Sequence, residues 1–297
     1  MKAIVIGEIN LGIALDAAGA TLGALPGGLM ARVAMALAAD GVATVMASDA
    51  GADSPGDIAV NAIAAAGASV TSVDRFTEGR TPLNVLMGMP PVLTRYDEYP
   101  DEAFDIIWPR IDEGDIVVFG GHYALDARMR PRLHKLLAHA TERKAVLVYV
   151  PDFKPQLQPR ITRVMPEILE NLEMAHLTVT TSSDLHNIFG VDTGAGCYAD
   201  RISFYCRSLI NIDTDCHALE FFAGKEATRV DTGTAPLAAI IWRAGALAGL
   251  AAALAKAEVT SQLFEAPSEA MRKDVLTAMV DSGHKASEGA LPWQLFF

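Results

Sequence analysis

The sequence predicts an α/β fold built on a mostly parallel sheet, and three observations support this prediction. Short, continuous apolar runs at residues 3–6 and 116–119 are typical of strands that are buried on both faces. Turn residues close these runs, at Gly7 after the first and Gly120 after the second. Segments with helical spacing alternate with the strand-like runs along the chain, which is the order of a layered α/β sheet.

In the N-terminal part, two strand–helix pairs precede a region where no helix is expected. Residues 11–25 and 70–89 contain strand-like pieces that could form a small β appendage, and 89–99 is rich in Pro and Tyr and is expected to be exposed. A loop dense in turn residues is expected from 49 to 57. The other elements expected here are strands 3–6 and 42–46 and helices 29–39 and 58–66.

In the C-terminal part, strands again alternate with helices, and residues 182–184 have the composition of a helix N-cap. The segment 229–250 is the most distinctive, because a polar, turn-prone run passes directly into an Ala- and Leu-rich helix with Pro236 in its first turn. The expected strands are 116–119, 145–150, 177–180, 208–213, 218–222 and 227–230, and the remaining helices are 130–143, 161–172, one near Ser261 and 268–281.

Composition limits the classes of function. The chain has 297 residues, 51% of them hydrophobic, and a formal net charge of −12. An acidic chain without a basic block argues against nucleic acid and against a membrane surface as partners. A small anionic ligand would need a local positive site against this overall charge. No linker divides the chain, so residues 1–297 are expected to form a single domain.

The cysteines indicate a cytoplasmic protein. Cys197, Cys206 and Cys216 are spaced nine and ten residues apart, which fits no zinc motif, and their odd number does not suggest a set of disulfides. The short apolar run that ends at Gly7 is too short for a secretory signal. We therefore expect reduced thiols and a cytoplasmic location.

The start of the helix in 229–250 is a candidate anion site. The first backbone N–H groups of a helix have no partner within it, and the helix dipole places a partial positive charge there. Asp231, Thr232 and Gly233 lie in the turn before the helix. Phosphate is the usual anion at such a junction.

Taken in order, these pieces resemble the PfkB family of carbohydrate kinases, which have the ribokinase-like fold. The resemblance extends from Met1 to about Leu254. The positions that match are Gly7-Glu8 after the first strand, Gly27-Gly28 before the first helix, Gly51, Asp53 and Gly56 in the next loop, Asp152 at a strand end, and Asp231-Thr232 before the Ala-rich helix.

The resemblance implies a three-layer α/β/α sandwich with a small β lid, formed near residues 9–26 and 78–100, that often makes a dimer contact. It implies ATP and Mg²⁺ as cofactors, with Mg²⁺ bridging the phosphates. A sugar or sugar acid would bind near Glu8, Asp16, Gly27, Gly28, Arg32 and Arg80. ATP would bind near Thr180, Asp213, Asp231, Thr232 and Gly233, with Asp152 near the metal.

Departures from the family pattern affect the catalytic motif. The family reads Asp-Thr-x-Gly-Ala-Gly-Asp, in which the last Asp takes the proton from the sugar hydroxyl. Alignment on Asp231 and Thr232 places Leu237 at that Asp, and a leucine cannot accept a proton. Arg32 replaces an asparagine, and the sequence from Asp213 to Asp215 puts negative charge where triphosphate would lie. The family's Asn and Glu before the next helix correspond to Thr181 or Ser182 and to Asp184.

Two other features have alternative interpretations. Residues 191–197 match the phosphate motif in their letters, but they lack one residue and place Cys197 at the catalytic position, so a flexible loop is expected. His122 follows a strand end, the favoured ligand edge of an α/β sheet, although a lone histidine is more often satisfied locally.

The sequence therefore predicts two alternative functions. The first is an ATP-dependent sugar kinase with impaired transfer, in which Asp231 could substitute for the missing base. The second is a non-catalytic relative that uses the same cleft for binding or regulation.

Overall fold

The computed structural model describes residues 1–88, 92–100, 107–155 and 160–295. Its strands are β1 (Ala3–Ile6), β2 (Asn10–Leu15), β3 (Thr21–Gly27), β4 (Thr44–Gly51), β5 (Ser69–Phe76), β6 (Arg80–Met87), β7 (Val92–Glu98), β8 (Ile116–Gly120), β9 (Val146–Val150), β10 (Leu177–Thr181), β11 (Ser208–Asp213), β12 (Ala218–Ala223) and β13 (Glu226–Asp231). Its helices are α1 (Leu29–Ala39), α2 (Ser54–Ala65), α3 (Arg130–Glu142), α4 (Ile161–Met174), α5 (Ser182–Phe189), α6 (Gly194–Cys197), α7 (Ile240–Lys256) and α8 (Glu269–Glu288).

The larger of two sheets has nine strands in the order β13-β12-β11-β10-β9-β8-β1-β4-β5. In this spatial order, all neighbouring strands between β11 and β5 are paired in parallel. Strands β12 and β13 add antiparallel pairs at one edge of the sheet. The carboxyl ends of the parallel strands therefore meet along one edge, where ligands bind in open α/β sheets.

Helices cover both faces of this sheet. In β1, Val5 belongs to one buried cluster together with residues of α1, α7 and α8, while its neighbour Ile4 belongs to the other, together with residues of α3 and α4. This alternation follows from the two-residue period of a strand. The prediction of a three-layer α/β/α sandwich is confirmed. Within the described ranges, no helix has the length and hydropathy to cross a membrane.

The smaller sheet has four strands in the order β3-β2-β6-β7. Its strands come from two separate segments, 10–27 and 80–98. The β2–β6 pair is parallel and the two outer pairs are antiparallel. Strands β2 and β3 follow the carboxyl end of β1, and β6 and β7 follow the carboxyl end of β5, so the small sheet lies at the carboxyl edge of the large sheet.

Two predicted element boundaries in the N-terminal part were wrong. The expected loop from 49 is the end of β4, which pairs with β5 as far as Gly51. Helix α2 begins at Ser54, four residues earlier than expected, because the Asp53 carboxylate accepts a 2.8 Å hydrogen bond from the Gly56 backbone N–H. Of the segment 89–99, residues 92–98 form β7, and 89–91 lie outside the described residues.

Three predictions in the C-terminal part also need correction. Thr181 is the N-cap of α5, since its hydroxyl accepts from the Asp184 N–H and the Asp184 carboxylate accepts from the Thr181 N–H. In the segment 191–197, which was expected to be a loop, residues Gly194–Cys197 form α6, and the Thr193 hydroxyl accepts a hydrogen bond from the Gly196 N–H. The third correction concerns the start of α7 and is described with the site.

Candidate functional site

A cavity of about 740 Å³ lies between the carboxyl edge of the large sheet and the small sheet. The small sheet contributes alternate residues, such as Asn10 and Gly12 of β2 and Asn84 and Leu86 of β6. Residues two apart in a strand point to the same face, so one face of the small sheet forms a wall of the cavity. The first turns of α1 and α7 form much of the opposite wall.

Glu8 is the buried carboxylate that joins the two sheets. It follows β1, and its side chain accepts hydrogen bonds from Arg95 and Tyr99, near the C-terminal end of the small sheet, and from Asn10. Burial disfavours the charged carboxylate, but the hydrogen bonds and charge of Arg95 outweigh this effect and hold the pKa of Glu8 below its ordinary value. Glu8 is therefore ionised and fully paired at neutral pH.

Gly27 and Gly28 allow the small sheet to approach Glu8 closely. Gly28, the N-cap of α1, has a φ of 86°, which favours glycine. A Cβ at Gly28 would lie 2.3 Å from the backbone oxygen of Glu8, and a Cβ at Gly27 would lie 1.7 Å from Asn10 Oδ1. Both positions line the cavity, and neither can carry a side chain without displacing its wall.

Arg32 extends from the first turn of α1 into the same cavity. Its side chain is largely buried, and it has no hydrogen bond or ion pair with the part of the chain that the structure describes. Burial alone lowers the pKa of Arg32 to about 10. The guanidinium therefore stays charged at neutral pH, with no counter-ion among the residues that the structure describes.

Asp152 lines the cavity at the end of β9. Its backbone has a φ of 40°, a strained value for a residue with a side chain. Its carboxylate lies 2.7 Å from Arg243 Nη1 of α7 and 3.6 Å from Lys154 Nζ. Burial opposes ionisation, but Lys154 and Arg243 together hold the pKa of Asp152 below its ordinary value. The described residues contain no group of three or more acids, histidines or cysteines positioned to bind a metal ion.

The start of α7 differs from the sequence prediction. The helix begins at Ile240, so Pro236 is not in its first turn. Two tight turns intervene, in which Leu237 N–H donates to the Ala235 carbonyl and Ala239 N–H donates to the Pro236 carbonyl. Leu237 is 2% exposed and packs in the core, whereas Ile240, the first residue of the helix, lines the cavity.

The predicted nucleotide residues lie beyond the lining of this cavity. The Asp213 carboxylate accepts hydrogen bonds from the backbone N–H groups of Asp215 and Cys216, which helps to hold its pKa below the ordinary value despite burial. The Asp213 carboxylate therefore already occupies two backbone N–H groups of this turn. The Ser182 hydroxyl accepts from the N–H of Thr214 and closes the turn further.

The four other predicted nucleotide residues are also apart from the cavity lining. The Thr180 hydroxyl donates to Asn211 Oδ1 at 3.4 Å in the sheet. Asp231 is exposed at the end of β13, 3.4 Å from Arg229, and is not at a helix start. Thr232 is buried, and Gly233 has a φ of 61° in the turn that follows.

Two predicted sugar-binding residues are also elsewhere. The Asp16 carboxylate accepts from the N–H groups of Ala18 and Ala20, so it stabilises the turn between β2 and β3. Arg80 is exposed at the start of β6 and pairs with Glu98. The structure thus brings Glu8, Gly27, Gly28, Arg32 and Asp152 of the predicted set into one cavity.

Several residues of this site were not predicted from the sequence, among them Arg243 and Trp293, which line the cavity, and Arg95, which pairs with Glu8. The partners Glu8 and Arg95 are 87 residues apart, so no local spacing connects them. The alternation along β7 could have indicated that Leu93 and Arg95 share a face.

A large, mostly parallel sheet between two helical layers, with a cavity at its carboxyl edge bounded by a second small sheet, defines a ribokinase-like protein. Residues 2–199 match the model of the pfkB family carbohydrate kinases, and the chain belongs to that family. The matched residues end before β11 and α7.

Solved structures support the same fold. The chain is similar to aminoimidazole riboside kinase from Salmonella enterica complexed with aminoimidazole riboside and an ATP analog, with a TM-score of 0.77 and 13% identity over 100% of this chain and 96% of that one. A fructokinase from Xylella fastidiosa with bound ATP gives a TM-score of 0.76 and 16% identity over 96% of this chain and 91% of that one. A fructokinase double mutant from Vibrio cholerae O395 with fructose, ADP and potassium ion gives 0.77 and 14%, over 95% and 90%. No curated protein matches the sequence.

Proposed function

We propose that this protein is a PfkB-type carbohydrate kinase that binds a sugar-like alcohol in the cavity and transfers a phosphoryl group to it from ATP only slowly. Family membership and the cavity between the two sheets support sugar binding, with the small sheet acting as a lid within a single domain. Of the similar structures, one holds aminoimidazole riboside with an ATP analog, one holds fructose with ADP, and one holds ATP. Mg²⁺ would bridge the phosphates of ATP.

The observation that carries the proposal is the aliphatic residue at the start of α7. The family's base is the last Asp of the motif in front of this helix. Alignment on Asp231 places Leu237 there, and the first residue of the helix itself is Ile240. Neither side chain can accept a proton, and general-base catalysis contributes about a hundredfold to ten-thousandfold in rate.

The carboxylates that the described residues place in the cavity are poor replacements for this base. Glu8 is paired with Arg95, and Asp152 is paired with Arg243 and Lys154. The pKa of each carboxyl group is below its ordinary value, so each is a weak base. Asp231 has an 84% exposed side chain outside the cavity lining, which argues against it as a substitute.

A second candidate function is a non-catalytic binding or regulatory protein of the same fold. The turn after β11 favours it, because Asp213 occupies two of the backbone N–H groups there and Asp215 adds a second negative charge. Triphosphate would have to displace or face these carboxylates. This candidate keeps the cavity and its lid and predicts no nucleotide binding.

Isothermal titration calorimetry distinguishes the two functions. Magnesium ATP should be titrated into the protein, with and without a sugar ligand, alongside the Xylella fastidiosa fructokinase as a positive control. Measurable ATP binding with slow turnover supports the impaired kinase. Sugar binding without ATP binding supports the non-catalytic candidate, and the absence of any sugar binding contradicts both.

The small sheet also suggests a homodimer. Met87, Val92 and Tyr96 are exposed apolar side chains on β6 and β7, and Met87 pairs with Val92 across the two strands. We propose that this surface contacts a second copy. Light scattering should give a dimer mass for the wild type and a monomer mass for Tyr96→Glu, whereas a wild-type monomer contradicts the proposal.

A further inference from the structure

The cavity contains several buried polar atoms that lack a partner. Arg32 Nε, Asn10 Oδ1, His122 Nδ1 and Arg243 Nε belong to lining residues, and none has a hydrogen bond within the described ranges. Buried polar groups in native proteins are nearly always hydrogen-bonded, so such a set in one open cavity indicates a polar ligand. Both donors and acceptors are present, as recognition of hydroxyl groups requires.

Arg32 differs from the other charged residues that line the cavity. Glu8 is neutralised by Arg95, and Asp152 is neutralised by Arg243 and Lys154. Arg32 has no acidic partner among the residues that the structure describes. A buried charge is costly unless it is paired, so a ligand that brings a negative charge would gain from this guanidinium.

The charge around the cavity also favours an anionic ligand. Among the described residues, three cations (Arg32, Lys154 and Arg243) and two anions (Glu8 and Asp152) line the cavity, and Arg95 neutralises Glu8, so the site is locally positive in a chain whose net charge is −12. A carboxylate carries one negative charge and fits the planar fork of an arginine in a bidentate geometry.

We propose that the ligand is a polyhydroxy carboxylic acid, such as a sugar acid, whose carboxylate pairs with Arg32. The neighbouring amides and His122 contact its hydroxyl groups. This inference rests on the proposed function, because it assigns a chemical class to the sugar-like alcohol of the same cavity.

Matched pairs of ligands test the assignment by calorimetry at low chloride concentration. The pairs are D-glucuronate with D-glucose, D-galacturonate with D-galactose, and D-gluconate with D-glucitol, and D-glucose 6-phosphate is a further probe. The acid of at least one pair should bind at least tenfold more tightly than its neutral partner. Arg32→Gln should weaken acid binding by about tenfold to a hundredfold, the range for a hydrogen bond to a charged group.

Control variants separate recognition from folding. Arg32→Lys keeps the charge without the fork and should give an intermediate loss, and the exposed Arg110→Gln should bind like the wild type. Arg32→Gln removes an unpaired buried cation, so its melting temperature without ligand should equal or exceed that of the wild type.

Four outcomes would overturn the inference. Equal binding of the acid and its neutral partner, or acid binding that survives Arg32→Gln, would overturn it while leaving sugar binding in this cavity intact. Tighter binding of the sugar phosphate through Arg32 would overturn the assignment to a carboxylate. Binding of none of these ligands would overturn both this inference and the proposed function.

Discussion

The Glu8 carboxylate and the Arg95 guanidinium form a two-armed ion pair, with Oε1–Nη2 at 2.5 Å and Oε2–Nη1 at 2.9 Å. Both side chains are 9% exposed. The pair connects the end of β1 to β7 and so fixes the small sheet over the cavity. Two parallel charge-assisted hydrogen bonds define orientation as well as supplying energy.

Removing the Glu8 charge should therefore destabilise the protein strongly. Among the described residues, Glu8→Gln leaves the buried Arg95 with only Asp97 as an acidic partner, and breaking such a pair costs about 3 kcal/mol. Urea denaturation measures this change in the free energy of unfolding. Arg80→Gln, which removes an exposed ion pair on the same sheet, should cost less than about 0.5 kcal/mol. Similar losses for the two variants would refute the role of the buried pair.

Asp49 should make stability depend on pH. It is buried in β4, and burial together with the charge of Glu8 raises its pKa well above the ordinary value of 3.8. Between the two pKa values the unfolded chain is ionised while the folded protein holds the proton, so stability falls as pH rises. Asp49→Asn removes this effect, and its advantage over the wild type should grow by up to about 1.4 kcal/mol per pH unit above pH 4.

Urea denaturation of the two proteins at several pH values measures this difference. The stability curves of the wild type and of the Asp49→Asn variant should diverge from about pH 4 upward until the Asp49 carboxyl ionises in the folded protein. Parallel curves across this range would show that the pKa of Asp49 is not raised by folding.

Gly28 and Gly19 provide a matched pair of glycines. Both have a φ of 86°, but a Cβ at Gly28 would lie 2.3 Å from the Glu8 carbonyl oxygen, whereas nothing lies within 4 Å of a Cβ at Gly19. Gly19→Ala should cost about 1 kcal/mol for backbone strain alone. Gly28→Ala should cost at least twice as much by urea denaturation and should also weaken ligand binding. An equal loss of stability for the two variants would mean that the residues around Gly28 can make room for a Cβ at no cost in stability.

The α/β order and many boundaries could be predicted from local patterns, because buried strands and capped helices follow from short-range apolar spacing. The bounds of α1, Leu29–Ala39, agree with the prediction, since the helical spacing ends at Gly41. The predicted start of α7 was wrong. Proline is common in the first turn of a helix, so Pro236 indicated a helix start from the local sequence. In the structure Leu237 packs into the core and the helix begins at Ile240.

The cavity could be predicted only in part. Glu8, Gly27 and Gly28 follow a strand or precede a helix at the ligand edge, where topology alone places them. The partners of Glu8 and Asp152 could not be predicted, because Arg95 and Arg243 are 87 and 91 residues away in the sequence. That Arg32 lacks an ion-pair partner among the described residues depends on the position of every group around it, which only the folded structure reveals.

The two aliphatic residues before and at the start of α7 should respond differently to a carboxylate. Ile240→Asp places an acid at a helix N-terminus that lines the cavity, which the helix dipole favours, and it should raise phosphoryl transfer at least about tenfold. Leu237→Asp buries an unpaired charge in the core, so it should lower the melting temperature sharply without any gain in rate. A larger gain from Leu237→Asp would contradict the placement of Ile240 at the reacting end of the cavity.

The central claim is that the cavity holds a sugar-like alcohol but lacks a base for phosphoryl transfer. The most direct measurement is the steady-state turnover of the wild-type protein with saturating magnesium ATP and the ligand that calorimetry identifies. Kinases typically turn over at about 1–100 s⁻¹, and loss of the base should reduce this rate by at least about a hundredfold. A wild-type turnover within the ordinary range would contradict the account.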